Sequence, residues 1–144
     1  MRRIAETLAR EDVYGIDLEY LGFGLAQSLP TRAESVTEDS VSGHPTLRLV
    51  ERTLESNQRF DRRVTWLDPE TFIPLRTVRY RGEAEVLRGR TEEVRIVQGI
   101  PTPTRIVFEE AAPSEIVTME VTTVDYTTPI PESYFSTMAL VKGR

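Results

Sequence analysis

Residues 115–126 read EIVTMEVTTVDY, a stretch in which apolar and polar side chains alternate. In an extended chain, Val117, Met119 and Val121 share one face, and the polar residues between them share the other. This period of two predicts a strand that is covered on one side and wet on the other. The stretch indicates that the domain is built on a sheet with a single apolar face.

Upstream of this stretch, runs of β-branched and aromatic residues recur between short segments of turn chemistry. This is the pattern of antiparallel strands joined in sequence order. The fold class that we predict is mainly β (α+β), an antiparallel meander of about six or seven strands. The predicted strands before residue 115 are 32–39, 46–54, 60–67, 75–81, 83–97 and 104–110.

The two ends of the chain differ in character from the strand-rich middle. Residues 1–30 contain short helical patterns, with Ile4 and Leu8 on one stripe and Asp17 as a possible N-cap. Residues 127–144 contain Pro129 and Pro131, which lack the N–H donor that a central strand needs. We therefore expect one domain over 1–144, with a helical or loop segment over 1–30, the meander over 31–126 and a tail over 127–144 that packs back on the sheet.

Composition excludes several functional classes. The chain has 144 residues, 39% of them hydrophobic and 28% charged, and a net charge of −5. These values are ordinary for one globular domain and leave no basic footprint for nucleic acid. No apolar run reaches the ~18 residues of a membrane helix.

The residues that commonly carry enzyme chemistry are scarce. There is no cysteine, and His44 is the only histidine. Thiolate catalysis, cysteine-based metal sites and multi-histidine metal sites are therefore excluded within one chain. The adjacent glutamates at 92–93 and at 109–110 point to opposite faces of a strand and cannot converge on a substrate. The sequence predicts no catalytic residue, no metal and no cofactor, and His44 is interpreted as an exposed turn residue.

Several short motifs occur in an order typical of one family. Residues 66–76 contain the pattern D-x-E-T-x-x-P-L after a strand, 99–105 read GIPTPTR, and 130–135 read IPESYF. Upstream, RRI at 2–4 and GIDLEYL at 15–21 fit the same order. Together they resemble the bacterial outer-membrane lipoprotein-sorting family, relatives of the periplasmic lipoprotein carrier. Because members of that family carry further elements before the RRI segment, we expect this chain to be the C-terminal portion of a longer carrier-like protein.

The resemblance implies a fold and a function. The fold would be a curved antiparallel sheet, an unclosed half-barrel whose concave apolar face is covered by helices. The function would be that of a non-catalytic periplasmic carrier for lipoprotein acyl chains or another lipid, acting in outer-membrane lipoprotein or lipid trafficking. Its partners would be the lipid cargo and a membrane transporter or receptor.

Apolar side chains on the predicted strands are candidates for the lipid-binding surface. For each of them, a place in the hydrophobic core is the alternative interpretation. In an unclosed sheet the two roles overlap, because the residues that line a cavity are core residues that other residues do not cover completely. Met119 suits varied acyl chains because its thioether side chain is unbranched and adaptable. The candidate lining residues are Val64, Trp66, Ile106, Phe108, Val117, Met119 and Val121.

Two alternatives to the carrier stay open. The chain could be a structural or adaptor module that binds a partner protein through an apolar groove or a sheet edge, or, less favoured, an enzyme that uses carboxylates alone. The expected open edges also predict self-association of this chain as a two-fold dimer.

Overall fold

The computed structural model describes residues 31–54, 60–112 and 114–135. The predicted helical segment over 1–30 and the tail beyond residue 135 lie outside the described residues. Among the described residues, the only helix is a 3-10 helix at Glu132–Phe135. No helix in this part of the chain is long and apolar enough to cross a membrane. The strands are β1 Thr31–Val41, β2 His44–Thr53, β3 Arg62–Leu67, β4 Pro74–Arg81, β5 Ala84–Val97, β6 Ile100–Ala111 and β7 Ser114–Glu120.

The seven strands form one antiparallel sheet in the order β1 to β7. Each strand pairs with its neighbours in the sequence. Because β1 and β7 lie at the two ends of this order, the sheet is unclosed. The predicted mainly β class and the sequential meander are confirmed.

Two hairpins turn over two residues with left-handed backbone. Ser42 and Gly43 join β1 to β2 with φ of 51° and 79°, and Gln98 and Gly99 join β5 to β6 with φ of 51° and 82°. Positive φ at both central residues matches the right-handed twist of the flanking strands. Glycine at the second position adopts this conformation without a Cβ clash. The turn chemistry therefore fixes where each hairpin reverses.

β6 begins at Ile100, earlier than the predicted start at Thr104, and so contains Pro101 and Pro103. Both prolines have partners on β5. A proline lacks the N–H donor but keeps its carbonyl acceptor. Register shifts on both sides of Glu93 accommodate the irregular pairing.

β7 ends at Glu120, earlier than the predicted end at Tyr126. Beyond the strand, side chains bond the backbone groups that a longer ladder would use. The Gln98 side chain accepts a hydrogen bond from the Tyr126 N–H at 2.7 Å, and the Asp125 carboxylate accepts one from the Thr127 N–H at 2.9 Å. The contact with Gln98 holds this segment next to the β5–β6 turn without strand pairing.

The strand register assigns every side chain to one of two faces. Directly opposed residues share a face, and successive residues alternate. We name the two sides the Phe108 face and the Trp66 face after their largest buried side chains. One cross-strand row on the Phe108 face consists of Thr65, Thr77, Gly89, Phe108 and Val117. The adjacent row, on the Trp66 face, consists of Val64, Val78, Arg88, Glu109 and Ile116.

Buried apolar residues form a separate cluster on each face. The cluster on the Phe108 face contains Leu87, Ile106 and Phe108, with Val117 and Met119 packed against it. The cluster on the Trp66 face contains Val64, Trp66 and Val78, with Val41, Val50 and Tyr80 packed against it. The core therefore lies on both sides of the sheet, whereas the sequence pattern of the last strand predicted one covered face and one wet face.

Candidate functional site

The apolar cluster of the Phe108 face lies beside an edge of the sheet. Phe108 is 1% exposed and Ile106 is 3% exposed. Val117 lies directly opposite Phe108 and Met119 directly opposite Ile106, both on the edge strand β7. These two β7 side chains are half-buried. A continuous apolar surface thus runs from the buried interior of the sheet to partly accessible side chains at its edge.

The predicted lining residues do not all meet on this surface. Ile106, Phe108, Val117 and Met119 belong to the cluster of the Phe108 face. Val121 is half-buried just after β7, and its N–H donates to the Thr104 carbonyl at 2.9 Å. Val64 and Trp66 lie on the opposite side of the sheet.

The structure adds Leu87 to the surface of the Phe108 face, a residue that the sequence analysis did not select. Leu87 is 5% exposed and packs with Ile106 and Phe108. It was missed because it lies in a highly charged stretch, where Glu85 and Arg88 dominate the pattern. Leu87 pairs directly with Arg79 in regular register, two residues before Gly89, and therefore lies on the Phe108 face.

Trp66 has polar surroundings in addition to its valine neighbours. The guanidinium of Arg76 lies 4.8 Å from the centre of the indole ring, and that of Arg48 lies 5.7 Å from it. The indole N–H donates to an Asp39 carboxylate oxygen at 2.8 Å. Both guanidinium distances fall within the range of cation–π attraction. These contacts fit a core residue with a polar rim better than they fit a wall for hydrocarbon.

The same contacts stabilise the ionised form of Asp39. The hydrogen bond from Trp66 lowers the pKa of the Asp39 carboxyl below its usual value of 3.8, and the N–H of Ser40 and the charges of Arg48 and Arg76 lower it further. Because this pKa is depressed in the folded state, the ionised Asp39 carboxyl stabilises the fold fully at pH values above its ordinary pKa of 3.8. This stabilisation is lost as the pH falls through the lowered value.

We expect the Asp39 carboxyl to titrate with a midpoint below 3.8, measured by carbon-detected NMR on the side-chain carboxyl signal. Trp66→Phe removes the strongest lowering contact and is expected to move this midpoint upward. Asp68 is the internal control. Hydrogen bonds from Thr71 and His44, and none from Trp66, keep its pKa well below the usual range, so its midpoint should be the same in the variant. An Asp39 midpoint that Trp66→Phe leaves unchanged would contradict this assignment.

Beyond Trp66, the charged side chains of this face form an arginine–glutamate network across β5 to β7. Arg105 contacts Glu92 at 3.0 Å and Glu120 at 2.9 Å, and Arg90 contacts Glu92 and Glu109. The glutamates at 92 and 109 thus balance neighbouring guanidinium charges. Such exposed pairs contribute at most about 1 kcal/mol each. These charged side chains keep the Trp66 face of β5 to β7 in contact with solvent.

His44 is exposed at the start of β2, where the sequence analysis placed an exposed turn residue. Its Nε2 lies 2.8 Å from an Asp68 oxygen, which links the β1–β2 hairpin to the β3–β4 turn. In the described ranges, no group of three or more histidine, cysteine or acidic residues could hold a metal ion.

Three solved structures share this fold. A DUF1329 family protein from Desulfovibrio piger has 18% identity and a TM-score of 0.77, over 96% of this chain and 59% of that chain. A domain named for outer-membrane lipoprotein sorting, from Vibrio parahaemolyticus, has 15% identity and a TM-score of 0.78, over 96% of this chain and 60% of that one. A LolA superfamily protein from Nitrosomonas europaea has 16% identity and a TM-score of 0.60, over 76% of this chain and 50% of that one.

These comparisons define the class by its fold alone, an open antiparallel sheet in sequential strand order. The resemblance to the lipoprotein-sorting family seen in the sequence motifs is confirmed at the level of fold. The chain belongs to the family whose model, described as "Uncharacterized protein", matches residues 1–142. No curated protein matches the sequence. The chain spans 59%, 60% and 50% of the three solved chains.

Proposed function

We propose that this protein is a non-catalytic binding or carrier protein for lipoprotein acyl chains or another lipid. The observation that carries the proposal is the apolar surface of the Phe108 face. There, half-buried Val117 and Met119 extend the buried cluster of Ile106 and Phe108 to the sheet edge. Side chains of this kind can exchange contact with water for contact with hydrocarbon without breaking a hydrogen bond.

The energetics of such a surface fit an acyl chain. Each methylene removed from water contributes about 0.8 kcal/mol. About ten buried methylenes, fewer than a palmitoyl chain contains, therefore supply the roughly 8 kcal/mol of micromolar affinity. Met119 adapts to chains of different length and position because its side chain has no branch. The paired arginines and glutamates of the Trp66 face would stay in water during this exchange.

The same proposal includes the cellular compartment in which the protein acts. The Vibrio parahaemolyticus domain that shares the fold is named for outer-membrane lipoprotein sorting. We extend this role to the present chain as a periplasmic carrier that takes its cargo from, or passes it to, a membrane transporter or receptor. The partner would receive the lipid at the β7 edge, where the apolar surface is most accessible.

One observation favours an adaptor role as the second candidate. β1 is an edge strand of 11 residues, and every side chain from 32 to 40 is exposed. An edge of this length offers backbone donors and acceptors to an added strand of a partner protein. The same geometry supports the proposed two-fold dimer, in which a second copy would supply that strand.

Native mass spectrometry of the protein purified from a periplasmic extract separates these proposals. A carrier is expected to retain adducts with the mass of a lipid, and a dimer to appear at twice the mass of the chain. A protein that carries no lipid and acquires none after incubation with fatty acid or phospholipid would contradict the carrier. A protein partner retained in place of lipid would support the adaptor.

A further inference from the structure

One cross-strand row on the Trp66 face brings together three arginines and the only tryptophan of the chain. Arg48, Trp66, Arg76 and Arg90 lie directly opposite one another on β2, β3, β4 and β5. The guanidinium groups of Arg48 and Arg76 lie near the same indole ring, one from each flanking strand. Because Glu92 and Glu109 balance Arg90, the positive charge of the row that no glutamate pairs with lies at Arg48 and Arg76, in a protein whose net charge is −5.

Arg48 and Arg76 differ from the arginines of the neighbouring strands in their partners. Arg52, Arg88 and Arg90 each form an ion pair with a glutamate. Across the described part of the chain, Arg48 and Arg76 form no ion pair and donate no side-chain hydrogen bond. The Asp39 carboxylate, on which the charges of both arginines act, accepts instead from the indole N–H. Two guanidinium groups thus keep their full set of donors for an external ligand.

Packing explains why these two arginines are well placed for binding. Both side chains are half-buried, and none of their nitrogens is among the buried polar atoms without a partner. Contact with the ring restricts each guanidinium, so less freedom is lost when a ligand binds. A cation–π contact uses the charge of a guanidinium and requires none of its N–H groups as hydrogen-bond donors.

We propose that Arg48 and Arg76, positioned by Trp66, bind the phosphate group of an anionic ligand. A phosphate offers several acceptor oxygens in tetrahedral directions and can accept from two guanidinium forks at once. Two guanidinium charges outnumber the one carboxylate of Asp39, so the net attraction grows with the charge of the ligand and is greater for a phosphate than for a carboxylate. The proposal does not rest on the carrier function, because the lipid-binding surface lies on the opposite face of the sheet.

The phosphate could belong to a soluble molecule or to a lipid headgroup, and two experiments distinguish these sources. The first is a titration with inorganic pyrophosphate, followed by the fluorescence of Trp66, which reports directly from the site. The second is co-sedimentation with phosphatidylcholine vesicles that contain or lack phosphatidylglycerol. Binding to pyrophosphate alone identifies a soluble ligand, and selective binding to the phosphatidylglycerol vesicles identifies a headgroup. Either result supports the site.

The variant Arg48→Gln/Arg76→Gln is expected to weaken the observed binding about tenfold or more, because two charge-assisted hydrogen-bond donors are lost. Arg32→Gln/Arg81→Gln is the matched control, since both arginines are exposed strand residues outside the row. It makes the same change of charge and is expected to leave binding almost unchanged.

A second variant, Arg48→Lys/Arg76→Lys, keeps both charges and most of the side-chain packing. It is expected to bind more weakly than the wild type and more tightly than the glutamine variant. Circular dichroism of each variant checks that the sheet is intact. The proposal is overturned if neither pyrophosphate nor anionic vesicles bind, or if a folded Arg48→Gln/Arg76→Gln variant binds as tightly as the Arg32→Gln/Arg81→Gln control.

Discussion

Phe108→Ala is expected to lower the free energy of unfolding by about 3 to 5 kcal/mol, the range measured for truncating a buried aromatic side chain. Phe108 is 1% exposed and lies directly between Gly89 and Val117 in the sheet. Glycine provides no side chain that could fill the space left by the ring. The loss should appear in urea denaturation as a lower midpoint with little change in slope.

Ile116→Ala is the matched control for this prediction. Ile116 lies on β7 next to Val117, but it belongs to the Trp66 face and is 69% exposed. Its truncation should change the free energy of unfolding by no more than about 0.5 kcal/mol. Equal losses in the two variants would mean that the Phe108 face is not the better packed side of β6 and β7.

Met119→Glu is expected to abolish lipid retention while leaving the sheet folded. A carboxylate against hydrocarbon must either stay charged without water or take up a proton, and both cost several kcal/mol. Met119 is half-buried on an edge strand, where the glutamate can turn to water in the lipid-free protein. Native mass spectrometry should therefore show at least a tenfold fall in the lipid-bound fraction, and circular dichroism should stay unchanged.

Thr118→Glu is the control for the charge itself. Thr118 precedes Met119 on β7 and is exposed on the opposite face, so the same carboxylate is added one position away. Glu120 is less suitable for this purpose because it contacts Arg105 at 2.9 Å. Lipid retention should stay near the wild-type level in Thr118→Glu, and an equal loss in both variants would contradict the assignment of the faces.

Local chemistry was sufficient to predict most of the fold. Alternation in residues 115–120 predicted β7 and its apolar face, and Gly43 and Gly99 marked two of the turns. Because every strand pairs with its sequence neighbours, these local signals also gave the topology. A fold with crossover connections would have been much harder to predict from the same signals.

The division of the candidate site between two faces could not be predicted in this way. The face of a strand depends on its register with the next strand, and one bulged residue moves every later side chain to the other face. Register shifts of this kind occur between β3 and β4, between β4 and β5, and on both sides of Glu93 in β5. Alternation within each strand was read correctly, but it carries no information about the register between β3 and β6.

The sequence also hid the burial of Arg79. Its charge suggests a solvated strand face, yet the residue is 4% exposed, and its guanidinium lies 4.8 Å from the centre of the Phe60 ring. A long aliphatic stem and a planar head allow arginine to pack on an aromatic ring. Such a contact joins residues distant in sequence, which local patterns do not reveal.

Lipid binding to the Phe108 face at the β6–β7 edge can be observed by photolabelling with a palmitic acid that carries a diazirine, with the labelled peptides identified by mass spectrometry. We expect adducts on Val117, Met119 and neighbouring residues of that face, and we expect them to disappear when unlabelled palmitic acid is in excess. Adducts confined to Val64, Trp66 and other residues of the Trp66 face, or no displaceable labelling at all, would contradict binding at this edge.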